Sequence, residues 1–271
     1  MIDCHVHTKR SHHGEGDIED FVLKAIDRGF EIIGFSEHAP FLFDSEHRLT
    51  KEEIRRYLDD VVELKIKYSN QIKILSGLEV DYHPSAESYL TSLLPLLECD
   101  FRLGSVHFFD SGSSRFSVWD YNALQRPEVI DSYFASLDRA VASGFFDVIA
   151  HPDIILRSGV RPSQINGFFL NLVASMKQFC CAYEINCSGL TKSSYDLVSR
   201  KKVYGAPSYP NIEIAALAHS EGVPLVIGSD AHSPDYLGAN VLFFIQELKK
   251  RGITDVTYFE KRTPHMFSLE P

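Results

Sequence analysis

The residues MIDCHVHTKRSHH, Met1 to His13, set two histidines two positions apart behind an apolar opening. In a β-strand, side chains i and i+2 point to the same face, so His5 and His7 aim at one place. Two imidazoles on one strand face form a pincer for a divalent cation, because neutral nitrogen is a favoured ligand of Zn, Mn and Fe. A short polar turn then brings a further histidine, with His12 and His13 competing for one role.

Working outward, apolar runs and helical stripes take turns. Asp17 caps a helix that buries Ile18, Phe21, Val22, Ala25 and Ile26 and stops at Gly29. A short apolar run ends in His38, and Thr50 to Glu53 reads as a capping box for a helix burying Ile54, Leu58 and Val61. The strand IKILSGLEVDY carries Glu79, and a helix follows near 85–97. FRLGSVHFF is a fourth strand, with His107 near its end. Residues 110–127 are polar and irregular and read as a long functional loop. A helix over 128–143 leads to FDVIAHP with His151, and a helix over 163–177 leads to AYEINC. A helix over 211–221 precedes VPLVIGSDAH, which bears Asp230 and His232, and a last helix buries Val241, Leu242, Ile245 and Leu248.

This alternation runs without a compositional break, which predicts one α/β domain over 1–271. Its even spacing suits a closed barrel better than an open sheet, and no glycine-rich nucleotide turn follows the first strand. The formal charge of −10 argues against a nucleic-acid partner, although metal ions or a local arginine can reverse the field for an anionic substrate. Five cysteines without a CxxC fit reduced thiols. No signal peptide is visible and no apolar run reaches a membrane span, so a cytoplasmic location is expected. The sequence assigns no oligomeric state.

The informative pattern is where the histidines fall. His5, His7, His38, His107, His151 and His232, with Glu79 and Asp230, lie at or just past the carboxyl ends of predicted strands. In a parallel barrel those ends converge on one rim. Singly, His38 or His107 reads as a packed or hydrogen-bonded residue and Glu79 as a surface carboxylate, although its apolar setting demands a partner. Jointly they point to a metal site. His47, His83, His219 and His265 lack strand-end positions and are expected to be solvated or locally hydrogen bonded, and Cys187, Phe41 and Phe43 to be packing or loop residues.

The segments DCHVHTKRSHH, FSEH, SGLEVDY, GSVHF, IAHPD and GSDAH together resemble the ordered motifs of the polymerase and histidinol phosphatase (PHP) superfamily, from Asp3 to about Gly238. The resemblance implies a distorted seven-stranded TIM-like (β/α)7 barrel holding three divalent metal ions (Mn, Zn or Fe). It assigns His5, His7, Glu79 and Asp230 to the first ion, Glu79, His107 and His151 to the second, and His13, His38 and His232 to the third. The family spacing selects His13 over His12. The length, the segment Asp110–Pro127, the EINCSGL stretch and Arg157 after HPD resemble histidinol-phosphate phosphatases, which act on a small phosphorylated substrate in histidine biosynthesis.

That reading has two metal ions activating a shared water for in-line attack at phosphorus, with Arg157 clamping the phosphoryl oxygens. Asp230 or His232 relays a proton to the leaving alcohol. Trp119, Phe41 and Glu184 are candidates for recognising the rest of the substrate. The amidohydrolases also open with HxH, but His107 stands where they expect a lysine and Asn186 where they expect a histidine. A PHP-type phosphodiesterase lacks a basic stripe here. A non-enzymatic relic would have lost some of these donors.

Overall fold

Seven short strands, almost wholly buried, form the centre of this computed structural model, which describes residues 1–203 and 208–270. They are β1 (Ile2–Val6), β2 (Ile32–His38), β3 (Lys73–Asp81), β4 (Phe101–Ser105), β5 (Val148–Ile149), β6 (Ala182–Asn186) and β7 (Leu225–Gly228). All neighbours are parallel and follow the order of the chain. Between β7 and β1 the ring closes through a parallel bridge, Val6 to Ala231, where His7 N–H donates to Ala231 O at 2.8 Å. A register shift in β1 and the two-residue length of β5 distort the barrel. The seven-stranded parallel α/β barrel expected from the sequence is the one observed, nearly closed.

Helices wrap the outside: α1 (Ile18–Asp27), α2 (Lys51–Lys67), α3 (Glu87–Leu93), α4 (Pro127–Ala142), α5 (Pro162–Phe179), α6 (Ile212–Ser220) and α7 (Val241–Lys250). Their starts follow local chemistry. Thr50 and Glu53 cap α2 reciprocally, satisfying backbone N–H groups that the first turn leaves free, and at α1 the Asp17 N–H donates to Asp20 Oδ2 at 2.7 Å. Each lays an apolar stripe on the barrel; for α4 it is Val129, Tyr133, Phe134, Leu137 and Val141. No helix among the described residues is long and apolar enough to cross a membrane.

Four local expectations differ from the structure. In α7, Leu242 is 55% exposed and Phe244 takes its place in the buried stripe. The fourth strand stops at Ser105, and the presumed irregular loop holds an antiparallel hairpin, Phe108–Ser111 with Ser114–Ser117. Buried Phe109, packed on Tyr133, and an Asp110–Arg115 ion pair fix it, so one apolar anchor and one ion pair suffice. The third helix is shorter than expected, because 3₁₀ turns at Pro84–Ala86 and Leu94–Leu96 flank it, both containing proline. A C-terminal hairpin, Asp255–Glu260 with Thr263–Ser268, was not expected. Its turn reaches the ends of β4 and β5 away from the histidine rim: Arg262 N–H donates to Asp100 O at 2.7 Å, and its guanidinium grips Asp147 at 3.0 Å.

Candidate metal centre

The face shared by His5 and His7 is the inner rim. Their Nε2 atoms lie 2.9 Å apart, and Glu79 Oε2, from β3, lies 3.3 Å from each. Asp230 Oδ1, just past β7, stands 3.8 Å from His5 and 3.6 Å from His7. Glu79 faces two ways. Its Oε2 also meets His38 Nδ1 at 3.1 Å, while its Oε1 meets His151 Nε2 at 3.1 Å and His107 Nε2 at 3.7 Å. His7 is shared too, its ring 4.3 Å from that of His38 and 4.5 Å from that of His232. Three compact donor sets result: His5–His7–Asp230, Glu79–His107–His151 and His7–His38–His232.

His13 lies beside the third set, with its ring 4.6 Å from that of His232 and 5.4 Å from that of His38. Its Nδ1 donates to Ser11 O at 2.7 Å. His12 adopts a left-handed backbone, φ 64°, and turns to Glu46 O at 3.0 Å. Of the doublet, His13 is the one beside the cluster. His83, expected to be solvated or locally hydrogen bonded, is 2% exposed and set between Ser85 and Asp110.

Electrostatics suit a cation. Burial lowers the His7 and His232 imidazoles to about 4, leaving both neutral with lone pairs available at pH 7. Burial disfavours the ionised Glu79 and Asp230 carboxylates, yet His38 and His5 beside the first, and Lys192 and His5 beside the second, hold both well below the usual range. His7 Nδ1 is buried without a hydrogen-bond partner, and His38 Nδ1 makes no hydrogen bond despite lying 3.1 Å from Glu79 Oε2. Burial opposes charge on His5 and His107, yet Glu184 beside the first and Asp81 beside the second raise both imidazoles above their ordinary value, so the carboxylates of this rim already draw positive charge among them, a part that bound cations can take. The donors are nitrogen and oxygen with no thiolate, a set that fits borderline divalent ions. These residues fit divalent metal ions.

Behind the donors lies a layer that the sequence reading largely missed. Glu184, on β6, is fully buried: Oε1 meets His5 Nδ1 and Oε2 accepts His151 N–H at 2.6 Å. It therefore holds donors in place and does not face the substrate. Asp81 accepts from His107 Nδ1 at 3.0 Å and pairs with buried Arg48 at 2.6 Å. Asp3 accepts the backbone N–H groups of Ser229 at 2.9 Å and Gly238 at 3.0 Å, pinning the loop that carries Asp230. Asp81 was legible, since it sits two positions beyond Glu79 and so shares its face.

A cavity of about 1040 Å³ opens on this cluster, lined by His13, His38, Glu79, His107, His151, Asp230 and His232. Arg157 and Lys192 line it as well. Arg157 is anchored by Nε to Ser193 O at 3.0 Å and pairs with no carboxylate among the described residues. Burial opposes its charge, but the neighbouring Asp230 holds the Lys192 ammonium above the ordinary lysine value. Trp119 stacks on His107, centroids 5.2 Å apart, and remains 47% exposed in the cavity wall. Phe41 is buried against Phe43 and Phe108.

A parallel barrel whose rim gathers buried histidines around shared carboxylates defines a class, the TIM-like metal-dependent hydrolases. The PHP domain pattern matches residues 3–188, and the chain belongs to the PHP domain family. It is 27% identical over 270 residues to a protein of Deinococcus radiodurans named probable histidinol-phosphatase, covering 97% of this chain and 98% of that one. It is 29% identical over 262 residues to the histidinol-phosphatase of Bacillus subtilis, covering 87% of this chain and 95% of that one. Its fold is similar to the crystal structure of histidinol phosphate phosphatase from Lactococcus lactis subsp. lactis complexed with zinc, L-histidinol and phosphate. The TM-score is 0.80 at 19% identity, covering 97% of this chain and 98% of that one.

Proposed function

We propose that this protein is a metal-dependent phosphomonoesterase that hydrolyses L-histidinol phosphate to L-histidinol and phosphate. The observation that carries the reading is one cavity combining a buried histidine–carboxylate cluster with three basic side chains, Arg157, Lys192 and the Asp81-paired Arg48. The names borne by the relatives from Deinococcus radiodurans and Bacillus subtilis support the substrate. Three ions, each Zn, Mn or Fe, agree with the three donor sets. His5, His7 and Asp230 would hold one, with Glu79. Glu79, His107 and His151 would hold the second, and His38, His232 and His13 the third, with His7 near enough to share.

Bound divalent ions supply a water of near-neutral acidity and positive charge for the phosphoryl oxygens. The chain supplies the rest. Glu79, with its two oxygens turned to different histidines, fixes the separation of neighbouring donor sets. Arg157, held at Nε, keeps its terminal nitrogens for two phosphoryl oxygens, a planar fork matched to that geometry. Lys192 adds a cation on the Asp230 side. Asp230 or His232, both in the cavity wall, is the group we assign to taking a proton from the attacking water and relaying it to the leaving alcohol oxygen. Trp119 offers an exposed ring face to the organic part of the substrate.

The test is a substrate panel on metal-loaded protein with parallel elemental analysis. L-histidinol phosphate should be turned over with kcat/KM at least about 100-fold above glycerol phosphate, an advantage of roughly 2.7 kcal/mol, and a phosphodiester should be inert. Equal turnover of both monoesters would remove the substrate assignment, and turnover of the diester alone would remove the monoesterase.

A further inference from the structure

Lys192 sets a puzzle. A lysine placed against a carboxylate of a cation site opposes the cation and weakens that carboxylate's pull. An ordinary half-exposed ion pair is worth little and would not account for it. The geometry is more specific than a pair. Lys192 Nζ lies 2.5 Å from Asp230 Oδ2, and Ser188 Oγ lies 3.1 Å from the same oxygen. The other oxygen, Oδ1, is the one that faces His5, His7 and His232, at 3.8, 3.6 and 3.5 Å. Lys192 therefore touches only the outward half of the carboxylate.

What stands behind this contact is built and buried. Ser188 is 4% exposed and Tyr209 is 1% exposed, with the two hydroxyls 3.0 Å apart. Asn186 Oδ1 accepts from the Ser188 backbone N–H at 3.1 Å and lies 2.6 Å from its hydroxyl. Tyr209 can donate to Ser188 Oγ, which leaves the single Ser188 hydrogen to be shared between Asn186 and Asp230. The backbone of Asp230 is itself unusual, with φ 53°, a left-handed conformation that non-glycine residues adopt at a cost. Main chain and side chain are thus both constrained to present one oxygen inward.

We propose that Lys192, backed by Ser188 and Tyr209, is a positioning residue that divides the labour of Asp230's two oxygens, holding Oδ2 outward so that Oδ1 alone serves the cation. This rests on the metal reading above. A free carboxylate can swing to offer both oxygens to one ion. Held at Oδ2, Asp230 offers one oxygen in a fixed direction, and the lysine offsets the excess negative charge of the rim without entering the donor set.

The test uses Lys192→Met and Lys192→Arg in the full chain. In Lys192→Met, divalent-ion affinity, read by competition with a chromophoric chelator, should fall about 10- to 100-fold, the usual effect of removing a partner that orients a ligand. Lys192→Arg, which keeps a cationic donor, should recover at least half of the loss on a logarithmic scale. A crystal structure of metal-free Lys192→Met should show the Asp230 carboxylate rotated from its present place. Zinc bound by Lys192→Met as tightly as by the wild type, or an unmoved carboxylate in that crystal, would overturn the proposal. If the wild type binds metal but hydrolyses no phosphomonoester, the phosphatase reading falls alone. If the wild type takes up no divalent ion, both fall.

Discussion

Glu184 illustrates how much of this site is decided one residue behind the donors. Its two oxygens are committed to His5 and to the backbone of His151, so it reaches two donor sets from outside. Glu184→Gln keeps the shape but removes one acceptor and the charge. Divalent-ion affinity should drop about 10- to 100-fold in chelator competition, with an unchanged far-ultraviolet circular dichroism spectrum. At this scale the sequence was readable wherever a donor sat at a strand end. His5, His7, His38, Glu79, His107, His151, Asp230 and His232 do meet at one rim, because parallel strands bring their ends together whatever the separation in sequence. Lys192 and Arg48 were not readable, since they come from loops without periodicity and find their partners only in three dimensions.

At the scale of elements, the closure between β1 and β7 is the most demanding contact. The strands meet so tightly that a Cβ on Gly228 would lie 2.3 Å from His5 Cβ and 3.0 Å from Glu184 Oε1. Gly228→Ala should therefore cost about 1–3 kcal/mol in denaturant unfolding and loosen metal binding as well, because the clash falls on His5. A variant as stable as the wild type would show that the seam is soft. Strands and helices of the barrel were legible from period and caps, while the 108–117 and 255–268 hairpins were not. The first hides one buried phenylalanine in a polar run, and the second lies outside the alternation that organised the reading.

For the whole molecule, donors drawn from β1, β2, β3 and the loops after β4, β5 and β7 tie most of the ring to one centre. Ligands that bind only the folded state stabilise it, by about 2.7 kcal/mol at a hundredfold excess over Kd. Chelation should lower Tm by about 5 °C or more, and added zinc or manganese should restore it, as read by calorimetry. We propose a single domain over 1–271, which predicts one cooperative transition in both states; two resolved transitions would divide the chain.

The grip of Arg262 on Asp147, with its N–H on Asp100, has a consequence for how the molecule is made. The hairpin that supplies it is synthesised after every strand it braces, and β5, only two residues long, is the one in most need of support. A chain without residues 255–268 would lose these contacts on Asp147 and Asp100, and with them the brace on the wall that β4 and β5 form.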